Sequence, residues 1–438
     1  MGIKDVFQVL IIGAGVTGLS LAIELLRRGI TIRIIDSAHA HFSGSRGKGI
    51  QPRSLELLNM MGIATDVLKC GTLYPHLKFH IGPLSIKGWS LGTHDAPSEA
   101  RPFPNLIMLE QWRTEEILRK KVQNLGGEIE LGTGIEALTQ TDDQVIVTLT
   151  TGETVRAEYA VACDGGRSTT RGFLGLQLLG AAVDQKTSIV ADMEVEGLDR
   201  KYWHAYPFRG AGLRSLAPLP AGGLFQLQAT DDISLKGLAN GVQKLTGKKV
   251  GHIAWQSRYR HQARMVERYR VGRVFIAGDA AHIHPPSGAQ GLNTGLQDAC
   301  NLGWKLVSAL RTGNDSILKT YEAERRPVAA DMLGLTAKLH TSTSKSRGDL
   351  TNQLGLNYRG SSLALGNAPG TLMPGDRMPD QFLSNGIKLF DVMQHGGATQ
   401  IMRPNRDHIL IRPDGYIAEF VSREVNLYYG HNVVKVDE

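Results

Sequence analysis

Near the start of the chain, three glycines and one acid have the spacing of a dinucleotide site. Gly13, Gly15 and Gly18 follow an apolar run of strand length and precede a helical pattern. Asp36 ends the next apolar run. Such glycines allow a tight turn and let backbone approach a pyrophosphate at a helix N-terminus, while the acid accepts hydrogen bonds from a ribose. This unit predicts an adenine dinucleotide site and does not distinguish NAD from FAD.

A second acid lies more than two hundred residues later, in "RVFIAGDAAH". Asp279 follows Gly278 at the end of an apolar run that predicts a buried strand, and a long helix is predicted to begin near Leu292. An acid there can hold the hydroxyls of a ribityl chain, and the first amides of the helix can stabilise negative charge on a flavin ring. NAD requires neither feature, so the second motif favours FAD.

The elements that must position these residues are alternating strands and helices. "FQVLIIGAG", "VTGLSLAIELLRRG" and "TIRIIDS" predict a βαβ unit, which implies a parallel sheet. From about 175 to 265 the pattern changes to strands and turns, which predicts a mostly antiparallel region. "DHILIRPDGYIAEF" predicts a hairpin about its Pro-Asp-Gly turn. The expected fold class is α/β, with an antiparallel sheet inserted into a Rossmann-like unit.

Composition excludes several other classes of protein. The chain has 438 residues with 42% hydrophobic content, which indicates more than one globular domain. It shows no apolar window of 18 residues and no leader, so we expect a cytoplasmic protein without membrane insertion. The net charge is +7, but Lys and Arg are interspersed with acids, which argues against nucleic acid and favours anionic cofactors or substrates. Cys70, Cys163 and Cys300 stand singly, so neither disulfides nor zinc are expected.

Six motifs in one order carry a resemblance to a known family. They are "GAGVTG" with Asp36, "SRGKGIQPRSLELL", "LEQWRTE", "CDGGRSTTR", "GDAAH" and "PPSGAQGLNTGLQDACNLGWKL", and the resemblance that they carry covers residues 5 to about 340. In this order the chain resembles the class A flavoprotein aromatic hydroxylases typified by para-hydroxybenzoate hydroxylase. It is most similar to the phenolic and polyketide hydroxylases of that group.

The resemblance implies a division of the chain into three parts. A Rossmann-like FAD-binding domain of the para-hydroxybenzoate hydroxylase type would comprise 1–75, 103–175 and 266–345. A β-sheet substrate domain would comprise 76–102 and 176–265. Residues 346–438 would form a short extension, which we interpret as a shortened, thioredoxin-like remnant without a CxxC motif.

The resemblance also implies which residues contact the cofactors. Arg46 would contact FAD and help to receive NAD(P)H, and Gln111 and Arg113 would reach the flavin from the other side. The Asp164–Gly165 pair would serve both cofactors. The full set of predicted cofactor-binding residues is Gly13, Gly15, Val16, Thr17, Gly18, Asp36, Ser37, Arg46, Lys48, Gln111, Arg113, Ile135, Asp164, Gly165, Asp279, Pro286, Gly288, Gly291, Leu292 and Asn293. Among these, the backbone of Ile135 would contact the adenine. The backbone amides of Leu292 and Asn293 would contact the isoalloxazine.

The implied chemistry is hydroxylation of an aromatic ring. NAD(P)H would reduce FAD, dioxygen would add to give a C4a-hydroperoxide, and a phenolic or polyketide-like substrate would take one oxygen atom. Gly-rich turns such as "YPFRGAGLRS" favour a multi-ring substrate, with a single-ring phenol as the alternative. Antibiotic-modifying or decarboxylating hydroxylation stays open, as does a non-catalytic redox sensor. The protein would be a monomer or homodimer, and no residue identifies itself as the base that deprotonates the substrate.

Two pairs of side chains permit more than one interpretation. His282 and His284 form an HxH pair without carboxylate or cysteine neighbours, so no metal is expected. His282 is expected to hydrogen-bond backbone beneath the flavin rather than to transfer protons. Trp203 and Tyr206 either line a substrate pocket or pack one sheet on another.

Overall fold

The computed structural model describes residues 6–207, 214–230, 235–285, 288–341, 351–367, 370–403 and 407–438. In chain order the strands are β1 (Phe7–Ile12), β2 (Ile32–Ile35), β3 (Gly49–Ile50), β4 (Thr72–Leu73), β5 (His76–Ile81), β6 (Leu84–Ser90), β7 (Ile107–Met108), β8 (Ile129–Glu130), β9 (Ile135–Gln140), β10 (Val145–Leu149), β11 (Thr154–Ala162), β12 (Leu178–Val195), β13 (Tyr202–Tyr206), β14 (Arg214–Pro218), β15 (Phe225–Thr230), β16 (Val250–Val266), β17 (Arg270–Val271), β18 (Val274–Ile276), β19 (His282–Ile283), β20 (Ala398–Met402), β21 (His408–Ile411), β22 (Ile417–Val421), β23 (Leu427–Tyr428) and β24 (His431–Asp437). The helices are α1 (Val16–Leu26), α2 (Pro52–Met60), α3 (Ala64–Cys70), α4 (Gln111–Asn124), α5 (Thr169–Phe173), α6 (Leu238–Thr246), α7 (Gly291–Thr312), α8 (Lys319–Thr341) and the single turn Leu389–Val392.

The first sheet has the order β17-β18-β11-β1-β2-β8, with the β9–β10 hairpin joined to β11. Its central strands β18, β11, β1, β2 and β8 pair in parallel. The apolar run of β1 is buried on both faces, as parallel strands are when both faces of the sheet are covered. Val9 and Ile11 pack in the core that includes α1, α4 and α7, whereas Leu10 and Ile12 pack with the β9–β10 hairpin. The predicted βαβ unit and the mixed α/β character are confirmed.

The second sheet has the order β19-β16-β12-β15-β14-β13-β5-β6. All of its neighbouring strands pair antiparallel except β13 and β5, which are parallel. Ile189, Ala191 and Met193 alternate along β12 and pack against α6, so they define a covered back face. We call the opposite face the front face. Its side chains include Val190, Asp192, Trp203, Ala205, Ser215, Gln226 and Gln228.

A third sheet near the C-terminus has the order β22-β21-β20-β24-β23. The strands β21 and β22 are antiparallel on either side of the Pro-Asp-Gly turn, so the predicted hairpin is confirmed. This sheet is joined to the first unit by buried ion pairs. Arg412, at the end of the hairpin's first strand, contacts Glu324 of α8, which also accepts a hydrogen bond from Lys305 of α7. In the described part of the chain, no helix is both long and apolar enough to cross a membrane.

Candidate functional site

The glycine loop after β1 is shaped by contacts that only glycine permits. Gly13 has a φ of +106°, and a Cβ there would collide with the carbonyl oxygen of Cys163. A Cβ on Gly18 would collide with the carbonyl oxygen of Gly13. Around Gly15, by contrast, the nearest atom to an added Cβ is Oε1 of Glu115 at 3.9 Å. Two of the glycines therefore serve packing, whereas the middle one faces open space at the N-terminus of α1.

Asp36 ties this loop to the end of β2. One carboxylate oxygen, Oδ2, accepts a hydrogen bond from the amide of Ala14 at 2.7 Å, and Oδ1 accepts one from Ala38 at 2.8 Å. Each carboxylate oxygen has a second lone pair, so these bonds leave capacity for a ribose. Ser37 follows on the exposed side, and Ile135 begins β9 with its side chain in the core.

Four of the predicted cofactor-binding residues line one cleft of about 150 Å³. They are Gly15, Asp36, Arg46 and Gln111. The remaining walls of the cleft come from residues that were not predicted, which include Ala14, Ala38, Ala40, His41, Phe42, Glu115, Arg119 and Leu131. The guanidinium of Arg46 lies over the ring of Phe42 at 5.6 Å. The cleft is therefore bounded by two arginines and by the open backbone of the glycine loop, which suits a diphosphate.

Glu115 is the acid in this cleft that sequence reasoning missed. It lies one helical turn after Gln111 and accepts a hydrogen bond from the Gln111 side chain at 2.9 Å. Burial raises the pKa of Glu115 to about 7, with Gln111 and Arg119 opposing the rise. A carboxyl group that keeps its proton repels a phosphate less than a carboxylate would. The i, i+4 spacing of Gln111 and Glu115 in "QWRTE" was the available signal.

Gln111 fastens the loop that carries Arg46 to the start of α4. Its amide donates to the carbonyl of Gly47 at 3.0 Å, and its side-chain oxygen accepts from the amide of Gly47 at 3.1 Å. A Cβ added at Gly47 would lie 3.4 Å from Leu292 of α7. The loop, the N-terminus of α4 and the N-terminus of α7 therefore meet at one point.

Two of the predicted cofactor contacts point elsewhere in the structure. The guanidinium of Arg113 pairs with Glu116 on the same helix, and Arg113 does not line the cleft. The ammonium of Lys48 donates to the side chain of Gln226 and lies 4.6 Å from the ring centre of Trp203. Lys48 thus contacts the front face of the second sheet. The assignment of Arg113 and Lys48 as cofactor ligands, which the family resemblance implies, stays a prediction.

The Asp164–Gly165 pair lies directly against the glycine loop. Asp164 is fastened to the first turn of α5, because its Oδ2 accepts hydrogen bonds from the amide and hydroxyl of Thr170 at 3.0 and 2.9 Å. Its Oδ1 is buried and has no hydrogen-bond partner within the described part of the chain. Gly165 has open space where a side chain would stand. The Oδ1 acceptor of Asp164 and the uncovered backbone of Gly165 are thus adjacent, so one polar ligand could contact both.

Asp279 lies deep in the molecule, yet its side chain is exposed, because it opens into the space beside α7. The surrounding protein raises the pKa of Asp279, while His282 and Arg46 oppose the rise. Its Oδ1 lies 3.7 Å from where a Cβ on Gly291 would stand. The carboxylate of Asp279 is therefore accessible from solvent beside the start of α7.

The N-terminus of α7 is held in place by Asn293. The side chain of Asn293 accepts a hydrogen bond from the amide of Gln51 at 2.8 Å and donates to the carbonyl of Gly49 at 2.9 Å. The carbonyl of Gly288 accepts from the Gln51 side chain at 2.9 Å. These bonds leave the first backbone amides of α7 unpaired by the helix itself, as at any helix start. Pro286 lies outside the described residues.

The histidine pair has partners that the sequence did not predict. His282 was expected to bond backbone, which is wrong: its Nε2 lies 2.6 Å from Oδ2 of Asp298. Asp298 also accepts from Arg325 at 2.8 Å and from the amide of Gly278 at 3.1 Å. His284 extends this hydrogen-bond network, because its Nε2 lies 3.0 Å from Nδ1 of His282. His282 therefore stabilises the turn that presents Asp279.

The two aromatic residues of β13 lie on opposite faces of the sheet. Trp203 is on the front face, buried in a cluster with Tyr74 and Leu77. Tyr206 is on the back face and stacks on His80, with ring centres 4.6 Å apart. Only Trp203 can therefore face a ligand that lies between the two sheets.

These groups fit FAD and define the class of the protein. A Rossmann-type unit presents an open glycine loop and a strand-end acid, while a deep acid faces the start of a long helix. Orphaned Oδ1 of Asp164 and the exposed carboxylate of Asp279 are the acceptors that a ligand rich in hydroxyls would satisfy. The class is an FAD-binding flavoprotein.

The family follows from comparison with known proteins. Residues 6–336 match the family described as FAD binding domain, and the chain belongs to this family. It is 38% identical to a flavin-dependent monooxygenase of Mycobacteroides abscessus, over 93% of this chain and 96% of that protein. It is 37% identical to 6-methylpretetramide 4-monooxygenase of Streptomyces rimosus, over 75% of this chain and 61% of that enzyme.

A solved structure shares the fold across nearly the whole chain. The ternary complex of aklavinone-11 hydroxylase with FAD and aklavinone matches with a TM-score of 0.82 at 22% identity, covering 97% of each chain. The protein is a flavoprotein monooxygenase with FAD as its cofactor. The predicted resemblance to FAD-dependent aromatic hydroxylases is confirmed.

Proposed function

We propose that this monooxygenase hydroxylates a phenolic ring of a fused, multi-ring compound, with NAD(P)H and dioxygen as co-substrates. The observation that supports a large substrate is the front face of the second sheet. Ala205, Ser215, Gln228, Val190 and Ser257 follow one another across five strands of that face. Three of these five residues, Ala205, Ser215 and Ser257, have small side chains, which leave room for a flat ligand against the sheet.

The relatives support the same substrate class. Two of the similar proteins are named for 6-methylpretetramide and for aklavinone. A single-ring phenol is the alternative, and antibiotic modification or decarboxylation are variants that pocket shape would decide. The Gly-rich turn of 208–213, which also favours a multi-ring substrate in the sequence, lies outside the described residues.

The residues that would hold FAD follow from the site. Gly15 and the N-terminus of α1 would receive the pyrophosphate, and Asp36 the ribose. Asp279 would accept hydrogen bonds from the ribityl chain, and the backbone amides of Leu292 and Asn293 would face the ring system. FAD, when bound, supplies the redox chemistry, since it carries reducing equivalents from NAD(P)H to dioxygen.

The protein's own task is to position the ring and exclude water. Trp203 and Tyr74, with ring centres 5.9 Å apart, close one end of the front face with an apolar cluster. The division of labour proposed here assigns FAD to 1–75, 103–175 and 266–345 and the substrate to 76–102 and 176–265. Residues 346–438 would act as a shortened, thioredoxin-like cap that stabilises the FAD-binding part.

A panel of phenols tests the proposal. NAD(P)H oxidation and hydroxylated product should be measured together for p-hydroxybenzoate, 1-naphthol and the anthraquinone emodin. We expect product formation to match cofactor oxidation best for the multi-ring phenol. Cofactor oxidation that yields only hydrogen peroxide for every compound, or purified protein that cannot be loaded with FAD, would contradict the proposal.

A further inference from the structure

The front face carries one acid at its centre. Asp192 lies in β12 between Gln226 of β15 and Trp255 of β16, which are its direct neighbours across the sheet. Its side chain is 2% exposed. The loop that carries Arg46 lies directly over it, because the carbonyl of Ser45 accepts a hydrogen bond from Gln226. Asp192 is therefore enclosed between the FAD-binding unit and the substrate sheet.

Asp192 has an unsatisfied hydrogen-bond acceptor. Its Oδ1 is buried and has no hydrogen-bond partner among the residues that the structure describes. A buried acceptor without a donor costs about 1–3 kcal/mol. A hydroxyl that enters from the ligand side would remove that penalty. On the front face Asp192 is flanked by the side chains of Gln226 and Trp255 across the sheet and by Val190 two residues earlier on the same strand.

The charges around Asp192 suit proton exchange near neutral pH. We call Asp192, Lys48, Gln226, Ser45 and Glu110 the Asp192 cluster. Burial raises the pKa of Asp192 to about 6, while Ser45 and Lys48 oppose the rise and Glu110 adds to it. Burial also raises the pKa of Glu110, whose Oε1 accepts from the amide of Ala221 at 2.8 Å. The ammonium of Lys48, held by Gln226, is the positive charge of the cluster.

We propose that Asp192 accepts the proton of the substrate's phenolic hydroxyl, with Lys48 and Gln226 as positioning residues. The phenolic O–H bond breaks, an O–H bond forms on Oδ1, and the electron pair stays on the phenolic oxygen. No electrons are exchanged in this step, and the new negative charge lies near the Lys48 ammonium. A phenolate ring is a stronger nucleophile than a phenol, so the transfer prepares the ring for hydroxylation. This inference rests on the proposed phenolic substrate.

Asp192→Asn tests the inference, because the amide keeps the shape but cannot take the proton. The assay uses the FAD-loaded enzyme and whichever phenol of the panel it hydroxylates. We expect kcat/KM for that phenol to fall about 100-fold or more at pH 7, the usual size of general base catalysis. The loss should shrink as pH rises through the phenol's own ionisation, which a merely structural defect would not cause. FAD content should equal that of the unaltered enzyme.

The matched control is Glu196→Gln, which removes an exposed carboxylate paired with Lys249 just beyond the same strand. It should leave kcat/KM unchanged, and Asp192→Glu should recover part of the activity. If Asp192→Asn keeps the pH profile and rate of the control, the role of Asp192 is overturned while the proposed function stands. If the unaltered, FAD-loaded enzyme hydroxylates no phenol of the panel, the proposed function fails and this inference fails with it.

Discussion

Arg412 and Glu324 form a two-pronged salt bridge, with Nη1–Oε1 at 2.8 Å and Nη2–Oε2 at 2.9 Å, although 88 residues separate them. Both side chains are almost fully buried. Arg412 also contacts Asp414, and Glu324 also accepts from Lys305. The bridge joins the C-terminal sheet to the helix that follows α7.

Arg412→Ala should destabilise the protein strongly, because it leaves the carboxylates of Glu324 and Asp414 buried with less positive charge. Removing one partner of a buried pair costs about 3–5 kcal/mol. Urea unfolding followed by circular dichroism measures the loss. Arg359→Ala, which removes an exposed arginine paired with Asp376, is the control and should cost about 1 kcal/mol or less. Equal losses of unfolding free energy for the two variants would show that the buried salt bridge contributes no more to stability than the exposed ion pair.

Asp279→Ala should weaken FAD binding without unfolding the chain. The carboxylate of Asp279 is exposed, so its removal leaves the packing of the core unchanged. Charge-assisted hydrogen bonds contribute about 1.5–3 kcal/mol, which corresponds to a rise in Kd of roughly 10- to 100-fold. The absorbance ratio of flavin to protein after dialysis reports retention. Asp143→Ala, in the exposed turn between β9 and β10, should retain FAD fully. Unchanged flavin content in Asp279→Ala would refute the ribityl assignment.

Gly15→Ala and Gly18→Ala should fail in different ways. An added Cβ at Gly15 meets no protein atom closer than 3.9 Å, so the chain should fold but lose FAD affinity as the methyl group enters the phosphate site. At Gly18 the Cβ collides with the carbonyl of Gly13, so stability should fall. Melting temperature and flavin content separate the two effects. Gly172→Ala, where nothing lies within 4 Å, is the neutral control.

Glu115 should make the FAD-free protein less stable as pH rises from about 4.5 to about 7. In the folded state the pKa of Glu115 is raised to about 7, so the folded chain keeps a proton that the unfolded chain releases. The penalty is complete above pH 7 and amounts to at most about 3 kcal/mol. Glu115→Gln should therefore raise the melting temperature at pH 8 and change it little at pH 4.5. A gain of the same size at both pH values would contradict the proton linkage.

The backbone motifs of the site were predictable from sequence because their geometry is local. Gly13, Gly18 and Asp36 are placed by one βαβ unit, and the structure brings Gly15 and Asp36 to the same cleft. Side-chain partners were not predictable, since they depend on packing between distant segments. His282 lies 16 residues from its partner Asp298, and Lys48 lies 178 residues from Gln226.

Spacing in the sequence is sufficient to predict two further features of the site. Trp203 and Tyr206 are an odd number of positions apart on one strand, so their side chains must lie on opposite faces. Glu115 follows Gln111 at one helical turn. No sequence pattern indicates the burial of Asp192. An acidic residue in a strand is normally predicted to face solvent, and Asp192 is buried because a distant loop covers it.

Thr17 lies between two glycines from other parts of the chain. A Cβ at either Gly278 or Gly295 would collide with the hydroxyl of Thr17, and one at Gly295 would also lie 3.1 Å from the Cα of Gly278. The three positions therefore share one volume and cannot vary independently during evolution. A side chain at position 295 therefore requires both the loss of the hydroxyl at position 17 and a shift of the turn that carries Asp279. Packing around the turn that carries Asp279 thus couples residues 17, 278 and 295, which lie in three separate segments of the chain.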